Sequence, residues 1–178
     1  MNHSILILLF SLFSLDETNN TTSIRPLSGQ TIPIDTPFNS VTIYNDVNLY
    51  ITEGARNEII VENQETADAV RFQVKDKTLL IHSRTVFFHR SIRGKIIICV
   101  QNINCISIVG DAEVRTIGSL SDRSLKLEIF GDGAIYANTT ALEVNTFMKG
   151  LGKIEVKGNF KNTTVNKDAY GNIVTIYN

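Results

Sequence analysis

The chain has 178 residues, a formal net charge of −1, three prolines and no tryptophan. This length predicts one domain with a sizeable core, and the balanced charge gives no general attraction to nucleic acid or to anionic membranes. β-Branched residues dominate and no long stretch has helical periodicity, so the chain is predicted to be all-β.

The N-terminal residues 1–23 are predicted to be a signal-like apolar segment followed by a polar linker. Residues 1–15 contain no Asp, Glu, Lys or Arg, and the apolar run from Ile5 to Leu15 is too short to span a bilayer. Its length is typical of the hydrophobic region of a secretory signal. The alternative is a short helix that stays attached and caps the domain. We favour export to the periplasm, the cell surface or the medium, with no transmembrane span after processing. Residues 24–178 then form the single domain.

The first half of this domain contains eight strand candidates with loose periodicity. Gly54, the pair Asp76-Lys77 and Gly94 separate several of them as turns, and residues 65–69 are predicted to form one helical turn. We expect broad or irregular coils that cap one end of the molecule. The candidates are Thr31–Ile34, Val41–Tyr44, Val47–Thr52, Glu58–Glu62, Val70–Val74, Thr78–Ser83, Lys95–Val100 and Cys105–Val109.

A basic loop with aromatic residues lies between the sixth and seventh strand candidates. It is a candidate binding loop for an acidic glycan, a phosphate-bearing surface or a partner protein. The alternative, which we favour, is a long loop whose phenylalanines pack on the end of the domain while its arginines face water, because runs of charge are usually solvated. The residues concerned are Arg84, Phe87, Phe88, His89, Arg90 and Arg93.

The two cysteines, Cys99 and Cys105, lie six residues apart. They are either a disulfide pair or two small buried hydrophobic residues, and the sequence leaves this open. Neither has a His or a second Cys at the spacing of a zinc site, so no zinc is expected.

The second half repeats one short phrase four times. Small residues flank one variable residue, and a β-branched residue follows. The phrases begin at residues 110, 131, 150 and 169, so the period is 19 to 21 residues: Gly110–Val114, Gly131–Ile135, Gly150–Ile154 and Ala169–Ile173. Such a period is typical of repeat architectures. Each unit reads as turn, strand, corner, strand, and it must stack on a copy of itself to bury its apolar face.

The repeats align into columns of like residues. In the first strand of each unit, Val114, Ile135, Ile154 and Ile173 form one column. In the second strand the columns are Leu125, Val144 and Thr163; Leu127, Thr146 and Val165; and Ile129, Met148 and Lys167. Columns in register predict a right-handed, single-stranded parallel β-helix, or solenoid, with irregular N-terminal coils. The alternative is a β-sandwich, which short strands at regular intervals also suggest.

Two repeat turns place an acidic residue at the same position, Asp111 and Asp132. Stacked about one strand spacing apart, these carboxylates with Glu113 are candidate Ca²⁺ ligands or an acid pair. The alternative, which we favour, is that Asp is an ordinary turn residue. The sequence contains no motif of a catalytic site or a cofactor site that we recognise, so neither a catalytic residue nor a cofactor is expected.

The combination of these motifs resembles a known family. Phe38-x-x-Val41-x-Ile43 and Val47-x-Leu49-x-Ile51-x-x-Gly54 open the match, and the repeated glycine turns complete it. Residues 38–178 resemble the DUF2807 family, the auto-transporter adhesin head (GIN) domain. The resemblance implies a right-handed parallel β-helix, an exported bacterial protein without identified catalytic residues, and an adhesion role.

These observations predict a non-enzymatic exported domain for adhesion or for contacts at the cell envelope, with a glycan or a surface protein as partner. One alternative is a carbohydrate-active enzyme that acts on an acidic polysaccharide through Asp111 and Asp132. The other is a structural module that forms homo-oligomers through the open ends of its coils, because an open β edge invites pairing with another chain.

Overall fold

Two mixed β-sheets share one hydrophobic core in the computed structural model, which describes residues 22–24, 29, 31–83, 94–168 and 170–177. The first half of this part of the chain contains β1 (Thr22–Ile24), β2 (Thr31–Pro33), β3 (Ser40–Tyr44), β4 (Leu49–Glu53), β5 (Glu58–Val61), α1 (Gln64–Ala69), β6 (Val70–Lys75), β7 (Thr78–Ser83) and β8 (Ile96–Val100). The second half contains β9 (Cys105–Val109), β10 (Glu113–Ile117), β11 (Ser124–Phe130), β12 (Ala134–Thr139), β13 (Glu143–Lys149), β14 (Lys153–Gly158), β15 (Asn162–Lys167) and β16 (Asn172–Tyr177).

Consecutive strands of the second half alternate between the two sheets. Sheet A has the order β1-β6-β7-β3-β9-β11-β13-β15, and sheet B has the order β16-β14-β12-β10-β4-β8-β5-β2. From β9 onward each strand pairs in parallel with the strand two places along the chain. We call one strand of sheet A and the strand of sheet B that follows it a layer, so β9 and β10 form one layer and β11 and β12 form the next.

The columns predicted from the repeats are confirmed. In sheet B, Val114 pairs with Ile135, Ile135 with Ile154, and Ile154 with Ile173. In sheet A the paired columns are Leu125, Val144 and Thr163; Leu127, Thr146 and Val165; and Ile129, Met148 and Lys167. Most of these side chains are buried, as are the corner residues Leu120, Ala141 and Phe160, whereas Val165 and Lys167 in the last strand of sheet A are exposed. The period of two therefore separates core from surface correctly.

The repeat turns stack backbone on backbone. The amide of Gly133 donates to the carbonyl oxygen of Gly110 at 3.0 Å, and the amide of Lys153 donates to that of Gly133 at 2.9 Å. A Cβ on Gly133 would lie 2.6 Å from the carbonyl oxygen of Ala112. The small residues of the phrase are thus required because each turn lies against the turn of the layer before it.

The first half departs from the parallel coils that the columns predict. Four of its strand pairs are antiparallel: β1 with β6, β6 with β7, β2 with β5, and β5 with β8. Asp76 and Lys77, with φ of 50° and 59°, join β6 to β7. A two-residue turn of this kind can connect only antiparallel neighbours, which is why a fully parallel stack is not formed here.

The layers of the first half are also out of chain order. The layer of β3 and β4 lies between the layer of β7 and β8 and the layer of β9 and β10. The chain therefore leaves β4, builds β5 to β8 on one side of it, and returns to place β9 and β10 on the other. The pairing of Val41 with Ile106 and of Leu49 with Val114 joins both halves in one core.

Two details concern the remaining predictions for this half. The predicted helical turn is confirmed as α1, whose N-cap residue Asn63 accepts a hydrogen bond from the Thr66 amide at 2.9 Å. β1 lies at the end of the polar tract predicted to be a linker, so the end of that tract pairs with β6. A strand of three residues is too short to show an alternating pattern in the sequence. Among the described residues, no helix is long and apolar enough to cross a membrane.

Candidate functional site

The outer face of sheet B carries a row of large polar side chains. Arg115, Tyr136 and Glu155 each follow a core residue of the repeat phrase, so the period of two turns them away from the core. Arg115 pairs with Tyr136, and Tyr136 pairs with Glu155, in successive strands. Tyr50 of β4 extends the row on the other side of Arg115. The stacking that builds the core therefore also aligns these side chains across four strands.

A groove forms in this row where two strands separate. The pairing of β10 with β12 ends at Arg115 and Tyr136, although β12 and β14 stay paired over six residues. Beyond that point the amide of Asn138 donates to the side-chain oxygen Oγ1 of Thr116 at 2.8 Å. We call the result the Tyr136 groove. It has a volume of about 200 Å³, and its lining includes Arg115, Thr116, Tyr136, Asn138, Glu155 and Lys157.

Two cations lie over the ring of Tyr136. The Arg115 Cζ atom lies 4.0 Å from the ring centroid, and the Lys153 Nζ atom lies 5.0 Å from it. Both distances are within the range of a cation–π contact, which is worth about 0.5–1 kcal/mol at an exposed site. Arg115 Nε also contacts Glu113 Oε1 at 2.6 Å, and this bond raises the pKa of Arg115. The guanidinium is therefore held over the ring by contacts on two sides.

Glu155 forms the other side of the groove between two lysines. Its oxygens accept from Lys153 Nζ at 2.8 Å and from Lys157 Nζ at 2.9 Å. Hydrogen bonds from Lys153 and then from Lys157 lower the pKa of Glu155 to about 2, so it is ionised at neutral pH. The groove and its rim contain three cations, which are Arg115, Lys153 and Lys157, and two carboxylates, which are Glu113 and Glu155. Their net charge is therefore 3 − 2 = +1.

Two of the three acidic residues predicted as metal ligands, Asp132 and Glu113, have other partners in the structure. Asp132 Oδ1 accepts the amide of Leu151 in the next layer at 2.9 Å, and Glu113 contacts Arg115. Asp111 is exposed in the turn one layer before Asp132. Within the described residues no group of three or more His, Cys, Asp or Glu could hold a metal ion. The Ca²⁺ site stays a prediction.

The predicted binding loop with Arg84, Phe87, Phe88, His89, Arg90 and Arg93 lies outside the described residues. Next to it in sequence, His82 stacks on Tyr44 with ring centroids 4.4 Å apart and an interplanar angle of 2°. This pair lies on the outer face of sheet A, on the face opposite the core.

The cysteines, whose pairing the sequence leaves open, are both free thiols in the structure. Burial and the neighbouring Glu128 carboxylate raise the pKa of Cys105 to about 11. Burial also raises the pKa of Cys99. Both thiols are therefore protonated at neutral pH.

The Tyr136 groove is not among the sites predicted from the sequence, although the sequence contains a signal for its row of side chains. Arg115, Tyr136 and Glu155 occupy the position directly after the core column, so the outward residues of the repeat could have been aligned in the same way as the inward ones. The separation of β10 from β12 has no such signal, because it depends on a side-chain hydrogen bond that replaces a ladder bond.

The comparisons with known proteins identify a family and a fold. The model of the DUF2807 family, described as "Putative auto-transporter adhesin, head GIN domain", matches residues 37–175. A "putative lipid binding protein" from Parabacteroides distasonis is similar in structure, with a TM-score of 0.64 at 14% identity over 89% of this chain and 68% of that chain. At this identity the likeness concerns the fold alone.

Two further crystal structures have lower scores. A "putative adhesin" from Bacteroides fragilis has a TM-score of 0.47 at 15% identity, covering 90% of this chain and 98% of that chain. A "putative cell adhesion protein" from Clostridium sporogenes has a TM-score of 0.43 at 12% identity, covering 89% and 99%. No curated protein matches the sequence.

Proposed function

The chain belongs to the DUF2807 family, and from this premise we propose that it is a non-enzymatic, exported domain that attaches to a glycan or a protein at a cell surface. The observation that carries the proposal is the row of aligned polar and aromatic side chains on the outer face of sheet B. Side chains fixed on a rigid sheet lose little conformational entropy on binding, which favours attachment. The family description supports the same role.

The proposal includes the finer description of the fold as a right-handed parallel β-helix. It is supported by the alternation of strands between the sheets and by the register shift of 19 residues between equivalent positions, such as Ile135 with Ile154 and Ile154 with Ile173. Crossover connections between parallel strands are right-handed in nearly all proteins. The β-sandwich alternative does not require equivalent residues of successive repeats to pair.

The adhesion role is tested by binding of the full chain to immobilised glycans and to host and bacterial surface proteins. We expect retention on at least one class of surface, and lower retention when Arg115 and Tyr136 are both replaced by Ser. The matched control is the double replacement of Lys126 and Phe147 by Ser on the outer face of sheet A. No retention on any panel would contradict the proposal. Mass spectrometry of the native N-terminus in fractionated cells tests export.

A second candidate function, self-assembly, is favoured by the end of the sheets at β15 and β16. These strands are the last in sheets A and B, and Val165 and Tyr177 are 50% and 60% exposed there. Unpaired backbone groups of an edge strand can pair with another chain. Light scattering should then detect a dimer, and Val165→Lys should dissociate it. The control Val109→Lys, at an exposed position inside sheet A, should leave the dimer intact. A strict monomer at every concentration would remove this function.

A further inference from the structure

We infer that the Tyr136 groove binds one saccharide unit that carries a carboxylate, an inference that rests on the proposed attachment function and names its ligand class. The groove volume of about 200 Å³ is below the roughly 300–1,000 Å³ of sites for drug-sized ligands. It therefore suits a single ring of a longer chain that continues across the outer face of the sheet.

The groove offers donors and acceptors together with an apolar surface. Asn138 provides an amide, Tyr136 a hydroxyl group and a ring edge, and Glu155 a carboxylate that is ionised at neutral pH. A sugar hydroxyl both donates and accepts, so it can pair with each of these groups. The carbon–hydrogen face of a sugar can lie against the apolar side of the groove near Tyr136. This mixture distinguishes the groove from a purely cationic site.

The charge of the groove favours an acidic sugar over a neutral one. The bond from Arg115 Nε to Glu113 uses one of the five N–H donors of the guanidinium. A ligand carboxylate beside Arg115 would form a charge-assisted hydrogen bond, about twice as strong as a neutral one. Lys157 lies on the other wall of the groove and provides a second cation.

The same charges argue against a polyphosphate such as a nucleic acid. Binding of a phosphate backbone depends on many cations that neutralise successive phosphates. Here Glu113 and Glu155 compensate two of the three cations, which leaves a net charge of +1. One carboxylate per ring matches this charge.

The probe is trigalacturonate, with its methyl ester as the uncharged control, measured by calorimetric titration of the full chain. We expect trigalacturonate to bind at least tenfold more tightly than the ester and to weaken as salt increases, because exposed charges are screened. Arg115→Gln and Lys157→Gln should each weaken binding about tenfold, which corresponds to one charge-assisted hydrogen bond. Lys126→Gln, which breaks the 2.7 Å Lys126–Glu128 pair on sheet A, should leave binding unchanged.

The outcomes separate this inference from the proposed function. No binding of trigalacturonate, equal binding of the ester, or equal weakening by Lys126→Gln would overturn the acidic-saccharide site. Surface retention that persists in Arg115→Gln and Lys157→Gln would also overturn it while leaving attachment in place. Specific binding of trigalacturonate without retention on any surface would confirm the site and contradict attachment.

Discussion

The stacked turns predict that an added methyl group is tolerated or not according to what lies beneath each glycine. Gly150 has φ of +138°, and a Cβ there would overlap the carbonyl oxygen of Gly131 in the layer before it. Gly133 has no positive φ, but its Cβ would lie 2.6 Å from the carbonyl oxygen of Ala112. Gly118 has φ of +75° with nothing within 4 Å. The three replacements by Ala therefore separate backbone strain from steric overlap.

The expected losses of stability follow from these two contributions. A side chain held in a sparsely populated backbone conformation costs about 1–3 kcal/mol, and overpacking against backbone costs about 1–3 kcal/mol. Gly150→Ala has both contributions and should lose roughly 2–6 kcal/mol. Gly133→Ala has only the overlap, about 1–3 kcal/mol. Gly118→Ala has only the strained backbone conformation and should lose about 1–3 kcal/mol.

Thermal unfolding measured by circular dichroism checks this order. For a domain of this size 1 kcal/mol shifts the midpoint by about 2–4 °C, so Gly150→Ala should unfold on the order of 10 °C lower than the wild type. Denaturant titration gives the same ranking as free energies of unfolding. If Gly150→Ala and Gly118→Ala unfold at the same temperature, the turns do not stack as described. If Gly133→Ala matches the wild type, overlap with the preceding layer is not the cause.

Three further predictions concern single side chains. Hydrogen bonds lower the pKa of Glu155 from 4.5 to about 2. Its carboxylate therefore stabilises the fold above pH 4.5, and this stabilisation is lost as the pH falls through 2. The difference in melting temperature between the wild type and Glu155→Gln should close between pH 6 and pH 2. The pKa of Cys105 is raised from 9.0 to about 11, which reduces the thiolate fraction of Cys105 at pH 8 roughly 100-fold. Peptide mass spectrometry should therefore find slow alkylation of Cys105 by iodoacetamide in the native protein and fast alkylation in urea. Asp132→Ala removes the acceptor of the Leu151 amide and should lose about 0.5–1.5 kcal/mol in urea unfolding, whereas Asp111→Ala, one layer earlier, is the comparison variant. Equal losses for the two would show that this hydrogen bond contributes nothing.

The second half of the fold could be predicted from the sequence because its information is local and repeated. The position of each glycine phrase gave the register of the next strand, and the pairing of Val114 with Ile135 and of Leu127 with Thr146 follows directly. A shift of one residue would bring the core side chains to the surface, so the alternation specifies the register.

The strand order of the first half depends on long-range pairings that no short sequence pattern predicts. The place of β3 beside β9 joins Ser40 to Cys105, which are 65 residues apart in the sequence. The pair Asp76-Lys77 predicts a turn, and the antiparallel pairing of β6 with β7 depends on the two-residue length of that turn. Unusual local composition indicates the basic loop as a candidate binding site, whereas the Tyr136 groove consists of ordinary residues at regular positions. Only the alignment of successive layers reveals them as one surface.

The insertion of the β3–β4 layer between later layers has a mechanical consequence. Tension applied to β16 would peel the second half one layer at a time, because each of these layers contacts only its neighbours. Each step would release about 19 residues, or roughly 65 Å of extended chain. After β9 and β10 have detached, β3 stays paired with β7, and β4 stays paired with β8. A molecule under load would thus lengthen gradually at one end while the other end stays anchored.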